Sequence, residues 1–404
     1  MVANAFIDTI ARRIERDRLP LRIDFWNGKS VAGINPPRAT LRINSPTALV
    51  SLASPSLDKL GEAYVKGVID LEGAMRDAFQ LLVPIVLERA GQMRRALGGG
   101  WKFWRHSRSG DAKAIQSHYD VSDEFFALWL DRRRVYSCAY FRDADDDLER
   151  AQEKKLDHIC RKLMLRDGER FLDIGCGWGG LLLHAVEHYG VDGTGITLSK
   201  NQFDYANRLL RERRLEKRAR VLLLDYRDLD ARSKFDKIAS VGMFEHVGVK
   251  NLRAYFSKIR DLLAPGGLVM NHGITSATLA DERLIASGGE FIDKYVFPHG
   301  ELAHVGEVVT ALGSAGLECL DVENLRPHYA RTLWHWVARL ERAREAAIAL
   351  VGDKKYRIWR AYMAGFAFAF ESGWDELHQI LAGKSDGGVT PYPFRRDHQY
   401  GAPS

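Results

Sequence analysis

The chain has 404 residues, more than a single core usually fills, so one large and one small domain are expected. It is 46% hydrophobic and 28% charged, ordinary for a globular protein; mean hydropathy is −0.26, and the longest near-apolar stretch, Ala361–Phe370, is too short to span a bilayer. Four cysteines (Cys138, Cys160, Cys176 and Cys319) in so long a chain do not make a disulfide scaffold, no two of them form a C-x-x-C pair, and they read as free thiols in a reducing cytoplasm.

The net charge of +6 is unevenly spread. Residues 1–110 hold 17 Lys and Arg against 10 Asp and Glu, whereas the rest of the chain holds 42 against 43. Such a basic region attracts anionic lipid or nucleic acid, and charge alone does not choose between them. The first residues show no continuous apolar run of the secretory kind. Over residues 3–17, Ala3, Phe6, Ile7, Ile10 and Ile14 share one helical face, suited to a membrane surface or to docking on its own domain. Leu21–Phe25 alternates as a strand, Asn27-Gly28 marks a hairpin, Thr40–Ile43 is a further strand, and helices are expected over Leu57–Val65 and Leu71–Arg89.

The expected organisation is a small α+β domain over 1–92, a basic aromatic linker over 93–115, a catalytic domain over 116–384 and a disordered tail over 385–404. In the linker, Gly98–Gly100 adjoins Trp101, Phe103 and Trp104, which are interleaved with Arg and Lys. That mixture suits a lipid headgroup region, single-stranded nucleic acid, or packing on a neighbouring domain.

From Leu156 the pattern alternates strand and helix. Strands are expected at Arg170–Ile174, Gly193–Thr197, Arg220–Leu224, Phe235–Val241 and Gly267–His272, with helices at Gly180–Tyr189, Lys200–Arg213 and Asn251–Leu263. This is an α/β class with a Rossmann-like parallel sheet wrapped by helices. The strongest local signal is Phe171-Leu172-Asp173-Ile174-Gly175-Cys176-Gly177-Trp178-Gly179-Gly180, a strand entering a Gly-rich turn and then a helix. Gly175 and Gly177 permit positive φ and close backbone approach to a ligand. Dinucleotide enzymes use a similar turn. Here an acid, Asp173, stands at the end of the first strand, where it can take the amino group of a methionine moiety. The second strand ends in Gly195-Ile196-Thr197-Leu198-Ser199 rather than in a ribose-binding acid. The unit therefore favours S-adenosylmethionine over NAD.

Six ordered segments carry a resemblance: His118–Ser122, Tyr136–Phe141, Leu172–Gly179, Thr197–Gln202, Asp225–Asp228 and Phe244–Gly248. Together they resemble the cyclopropane-fatty-acyl-phospholipid synthases and their mycolic acid relatives. Gly61-Glu62-Ala63-Tyr64 resembles the small N-terminal domain of the phospholipid-acting members. The resemblance implies a class I S-adenosylmethionine-dependent methyltransferase. Tyr136, Ser137, Asp173, Gly175, Gly177, Gly179, Thr197, Leu198 and Gln202 would contact the cofactor, with Tyr226 and Arg227 by the adenine. It also implies transfer of a methylene group to the cis double bond of unsaturated phospholipid acyl chains, through a carbocation deprotonated by bound bicarbonate. Cys138, Glu245, His272, Tyr329 and the backbone of Ile274 would hold that anion. Dimerisation is a further implication of the resemblance, whereas the basic excess in residues 1–110 predicts a peripheral cytoplasmic enzyme docked on the anionic inner leaflet, with no nucleic acid partner.

The chemistry is coherent. An unactivated alkene must be held against the methyl group, and water that would capture a cation must be excluded. Taken singly, each residue has an ordinary alternative: Cys138 as a small buried hydrophobe, Glu245 as a helix-start cap, His272 as a backbone partner, Tyr329 as packing. Gly273 stands where many members carry Thr, and His299, Ala303 and His304 also depart from the usual pattern; these bear on substrate and product. Three rivals remain. One is a lipid alkene methyltransferase giving a methylene or methyl branch. Another is a small-molecule or RNA methyltransferase, which should lack the bicarbonate set. The last is a non-catalytic lipid-binding protein, which should have an eroded cofactor turn.

Overall fold

The computed structural model describes residues 8, 11–48, 56–94, 122–278, 289–296, 301–388 and 390–400. His118–Val121, most of the 93–115 linker, the apolar positions of 3–17 other than Ile14, and His299 lie outside them. The chain divides into two compact units. One comprises Met1–Trp104, Leu284–Pro298 and Leu333–Ser372; the other comprises Arg105–Arg283, His299–Thr332 and Gly373–Ser404.

In the smaller unit, β1 (Leu21–Phe25), β2 (Ser30–Ala32), β3 (Ala39–Ile43) and β4 (Ile69–Gly73) form a sheet in the order β2-β1-β3-β4. β1 and β2 are the antiparallel hairpin expected at Asn27-Gly28, where Gly28 takes φ +80°. Helix α1 (Leu57–Val65) has the expected bounds, with Ser56 as N-cap accepting from the Lys59 amide.

The helix read from Leu71 begins instead at Met75 (α2, Met75–Arg94), and Ile69–Gly73 is a strand. Ile69 and Leu71 alternate with Asp70 and Glu72, a period of two that pairs with β3. Gly73 ends it at φ +93°, and a Cβ there would lie 2.8 Å from the Arg38 carbonyl oxygen. The unit is completed from far along the chain. Arg360, buried, donates to the Tyr64 hydroxyl (2.9 Å), the carbonyls of Leu71 (3.2 Å) and Gly73 (2.9 Å), and Glu341 (2.8 Å).

The larger unit introduces α3 (Asp123–Ala127), α4 (Leu148–Lys162), β5 (Arg170–Ile174), α5 (Gly180–Tyr189), β6 (Asp192–Thr197), α6 (Lys200–Glu212), β7 (Ala219–Leu223), β8 (Phe235–Val241), α7 (Leu252–Leu262) and β9 (Leu263–Ser276). The short α8 (Gly289–Tyr295) belongs to the smaller unit. The larger unit continues with α9 (Val305–Ser314), β10 (Glu318–Asn324) and the start of α10 (Arg326–Arg342); the rest of α10 and α11 (Arg344–Glu371) belong to the smaller unit, and β11 (Asp375–Gly383) and α12 (Asp397–Tyr400) to the larger.

Seven strands run in the order β10-β11-β9-β8-β5-β6-β7. The five expected strands are parallel neighbours; β10 and β11 add an antiparallel edge that the sequence reading did not contain. Successive strand residues face opposite sides and feed two apolar cores. Phe171, Val221, Ala239 and Met270 pack with α4 and α5. Leu172, Ile196, Ile238 and Val269 pack with α7 and α9.

The tail expected to be disordered is instead packed over residues 390–400. Thr390 and Gln399 are buried, the Gln399 carbonyl lies 3.1 Å from His158 Nδ1, and Arg396 pairs with Asp321 at 2.9 Å. A Ser-, Gly- and Pro-rich composition permits disorder but does not impose it when specific polar partners wait on the body of the unit. Among the described residues, no helix is long and apolar enough to cross a membrane.

Candidate active site

The parallel strands end together, and the glycine turn follows β5. Gly175, Gly177 and Gly179 all have positive φ (+76°, +55° and +86°), so the chain can double back there without a Cβ clash. The amides of Gly175 and Cys176 both donate to the Ile196 carbonyl (3.0 and 2.9 Å), which ties the turn to β6. Outside the carboxyl ends of β5, β6 and β8 lies a cavity of about 480 Å³, the usual place for a ligand in such a sheet.

Tyr136, Ser137, Asp173, Gly175, Gly177, Thr197, Leu198, Gln202, Tyr226 and Arg227 line this cavity. Gly179 does not. It is the N-cap of α5, and a Cβ on it would lie 3.2 Å from Ala206 Cβ, so its task is helix packing. Gln202 is fixed by the Thr197 hydroxyl at 2.8 Å. Tyr226 stands edge-on to Tyr255, with centroids 5.3 Å apart. Arg227 is held by Asp225 at 2.6 and 2.9 Å. Behind Tyr136, an aromatic group of Phe126, Trp129 and Trp178 stiffens the wall, and Trp178 donates its indole N–H to Asp123 at 2.9 Å.

Asp173 is fully buried, and its Oδ2 has no hydrogen-bond partner. Burial pushes its carboxyl up to about 7, against the pull of nearby Lys155. Lys155 lines the same cavity, is 1% exposed and donates to the Ser137 hydroxyl at 2.7 Å. The sequence reading missed it. The signal was its position on α4: Leu148, Ala151, Gln152, Leu156 and Ile159 form the buried stripe, and Lys155 falls within it.

The residues expected to hold an anion do not line the cavity. Glu245 follows β8, and its Oε1 accepts the Ile274 amide N–H at 2.7 Å, so these two meet directly; the backbone group assigned to the anion is engaged by Glu245. His272 lies two residues before Ile274 on β9, with Nδ1 3.2 Å from Gln379 on β11. Glu245 Oε2 and His272 Nε2 are buried without hydrogen-bond partners. Burial raises Glu245 to about 7 and lowers His272 well below its ordinary value, so His272 is held neutral. Cys138 is fully buried near the Leu325 carbonyl (3.9 Å), and burial pushes its thiol up. Tyr329, also buried, sits one helical turn beyond Leu325. Lys155 acts electrostatically on Cys138 and on His272, so its charge is felt on both sides of the cavity wall.

Gly273 has a structural reason. A Cβ there would lie 2.2 Å from the Phe244 ring and 2.7 Å from Glu245 Oε1. The glycine therefore lets Glu245 close onto Ile274. Ala303 and His304 close the end of β9: the Ala303 carbonyl accepts the Ser276 amide at 2.9 Å, and His304 caps α9 reciprocally with Glu307.

The mycolic acid cyclopropane synthetase family profile matches residues 106–380. The chain belongs to that family. A second profile, a domain of unknown function, matches residues 9–87. A probable fatty acid methyltransferase of Pseudomonas putida is 45% identical over 396 residues, covering 95% of this chain and 96% of that one. Cyclopropane mycolic acid synthase 1 of Mycobacterium tuberculosis is 37% identical over 278 residues, covering 67% and 96%. The solved mycolic acid cyclopropane synthase CmaA1 complexed with SAH and CTAB aligns with TM-score 0.64 at 36% identity, over 68% of this chain and 98% of that one. Family membership makes this chain an S-adenosylmethionine-dependent methyltransferase. The cavity fits that cofactor: its size is ordinary for a small molecule, bare backbone at Gly177 opens onto free space, and Asp173 offers an unpartnered acceptor.

Two outcomes follow from this geometry. Asp173 binds its proton more tightly folded than unfolded between its ordinary 3.8 and about 7, so stability of the ligand-free protein falls as pH rises across that window. Asp173→Asn should flatten that decline in denaturant melts at pH 5 and 8. Gly273→Thr should displace Glu245 and cut turnover by about tenfold or more, while calorimetry finds S-adenosylhomocysteine affinity within about twofold of the parent.

Proposed function

We propose that this methyltransferase adds a methylene group across the cis double bond of unsaturated phospholipid acyl chains, giving a cyclopropane ring. S-adenosylmethionine supplies an electrophilic methyl group when bound. The alkene π pair bonds to that carbon as the C–S bond breaks and its electrons return to sulfur. The transferred methyl then loses one proton to a base, and the freed C–H pair closes the ring. The observation that carries this reading is the pair of orphaned buried atoms, Glu245 Oε2 and His272 Nε2. Buried polar atoms are rarely left without partners, so a small polar guest that reached these two would satisfy them. Bicarbonate fits that donor set and would supply the base. A Glu245 held up at about 7 donates a proton to an anion instead of repelling it, and Ile274 keeps its carboxyl in place. In this reading Cys138 and Tyr329 complete the pocket and exclude water that would trap a cation.

The 45% identity to a probable fatty acid methyltransferase favours a second reading, in which the alkene is methylated without ring closure and a methylene or methyl branch results. Purified protein is incubated with S-adenosylmethionine, bicarbonate and unsaturated phospholipid vesicles. The acyl chains should gain about 14 Da, one CH₂, with upfield ring protons by NMR. Vinylic protons with the same mass gain would establish the second reading, and no gain with cofactor bound would remove both.

The basic excess in residues 1–110 supports peripheral docking on an anionic leaflet. Binding to vesicles should rise with anionic lipid content and weaken between about 0.05 and 0.5 M salt; binding indifferent to both would rule docking by charge out.

A further inference from the structure

Four long cationic side chains line the cavity, and three are otherwise engaged. Arg134 lies 3.4 Å from Asp123 and over the Tyr205 ring. Arg227 is clamped by Asp225, and Lys258, half-buried, donates to the Leu229 carbonyl. Lys155 differs. It is fully buried, its hydrogen bond is to the neutral Ser137 hydroxyl, and among the described residues no carboxylate pairs with it directly. An ammonium carries three N–H groups, and a buried one without a counter-charge is costly. It is also firmly placed. Gln152, one turn earlier on α4, donates to the carbonyls of Val135 (3.2 Å) and Ser137 (2.9 Å), so a single helix face sets both Lys155 and the segment it touches.

We propose that Lys155, with the Ser137 hydroxyl, is the binding site for the α-carboxylate of the methionine moiety of S-adenosylmethionine. An amino-acid zwitterion needs one partner of each sign close together. Asp173 supplies the other: it lines the same cavity with Oδ2 unpartnered, and Lys155 acts on it electrostatically. Without ligand, burial lowers Lys155 to about 8 and raises Asp173 to about 7; a bound zwitterion opposes both shifts. The inference rests on the cofactor dependence of the family and is independent of which lipid is modified.

Calorimetric titration of the full chain with S-adenosylhomocysteine and with its decarboxylated analogue tests it. The parent should prefer the carboxylate-bearing ligand by about 10–100-fold, the worth of a hydrogen-bonded charge pair. Lys155→Met should lose most of that preference while binding the decarboxylated analogue within about threefold of the parent. Replacing a buried charge by an apolar side chain of similar volume leaves the ligand-free fold as stable or more so, which thermal unfolding checks; should Lys155→Met fail to fold, Lys155→Gln takes its place in the same titrations. An unchanged preference, or an equal loss for both ligands, overturns the proposal. So does a preserved preference accompanied by a lost bicarbonate dependence of turnover, since Lys155 would then serve that anion instead.

Discussion

The catalytic unit is organised around a stretch of backbone that tolerates no side chains at alternate positions. Gly175, Gly177 and Gly179 each take a conformation that L side chains rarely adopt, and each serves a different end. The amide of the first joins that of Cys176 on a single carbonyl of β6, the second leaves open space at the cavity wall, and the third lets α5 start against α6. Because the strands on either side end at the same level, this one turn decides where the cavity is and which wall is bare peptide. The acid before it and the helix after it are carried into position by the same geometry.

That turn could be read from residues alone because glycine spacing is a local constraint. The bounds of β5, α5 and β8 were equally plain, since apolar runs between turn residues specify them locally. What escaped reading depended on distant partners. β10 has the sequence ECLDVEN, too acidic to announce a strand, and it forms by pairing with β11 across the antiparallel edge. Ile69–Gly73 was hidden by the apolar helix that follows it. Lys155 was hidden by a default: lysine on a helix normally points to water, and only the depth of α4 in the unit makes this one buried. The Ile274 amide was legible as a position but not as a group already engaged by Glu245, because that contact needs Gly273 and the fold of β9 together.

Asp173, Glu245, Lys155 and His272 share one physical condition. Asp173, Lys155 and His272 are fully buried and Glu245 is half-buried with its Oε2 enclosed, and burial pushes each toward its uncharged form. Asp173 and Lys155 line the cavity and Glu245 and His272 lie outside its lining, and at each place a complementary group would be held in surroundings where water screens the interaction little. Such a design suits chemistry on an apolar chain, whose own surface contributes nothing to hydrate or neutralise.

The Arg360 network carries a consequence for biosynthesis. Tyr64, Leu71 and Gly73 leave the ribosome well before the guanidinium that satisfies them, which is about 290 residues further on. At roughly 5–20 residues per second, the N-terminal sheet waits tens of seconds for its buried partner. The His158 ring likewise waits for the Gln399 carbonyl. The small unit therefore stays incomplete on a nascent chain until residue 360 has been made, and the larger one until residue 399.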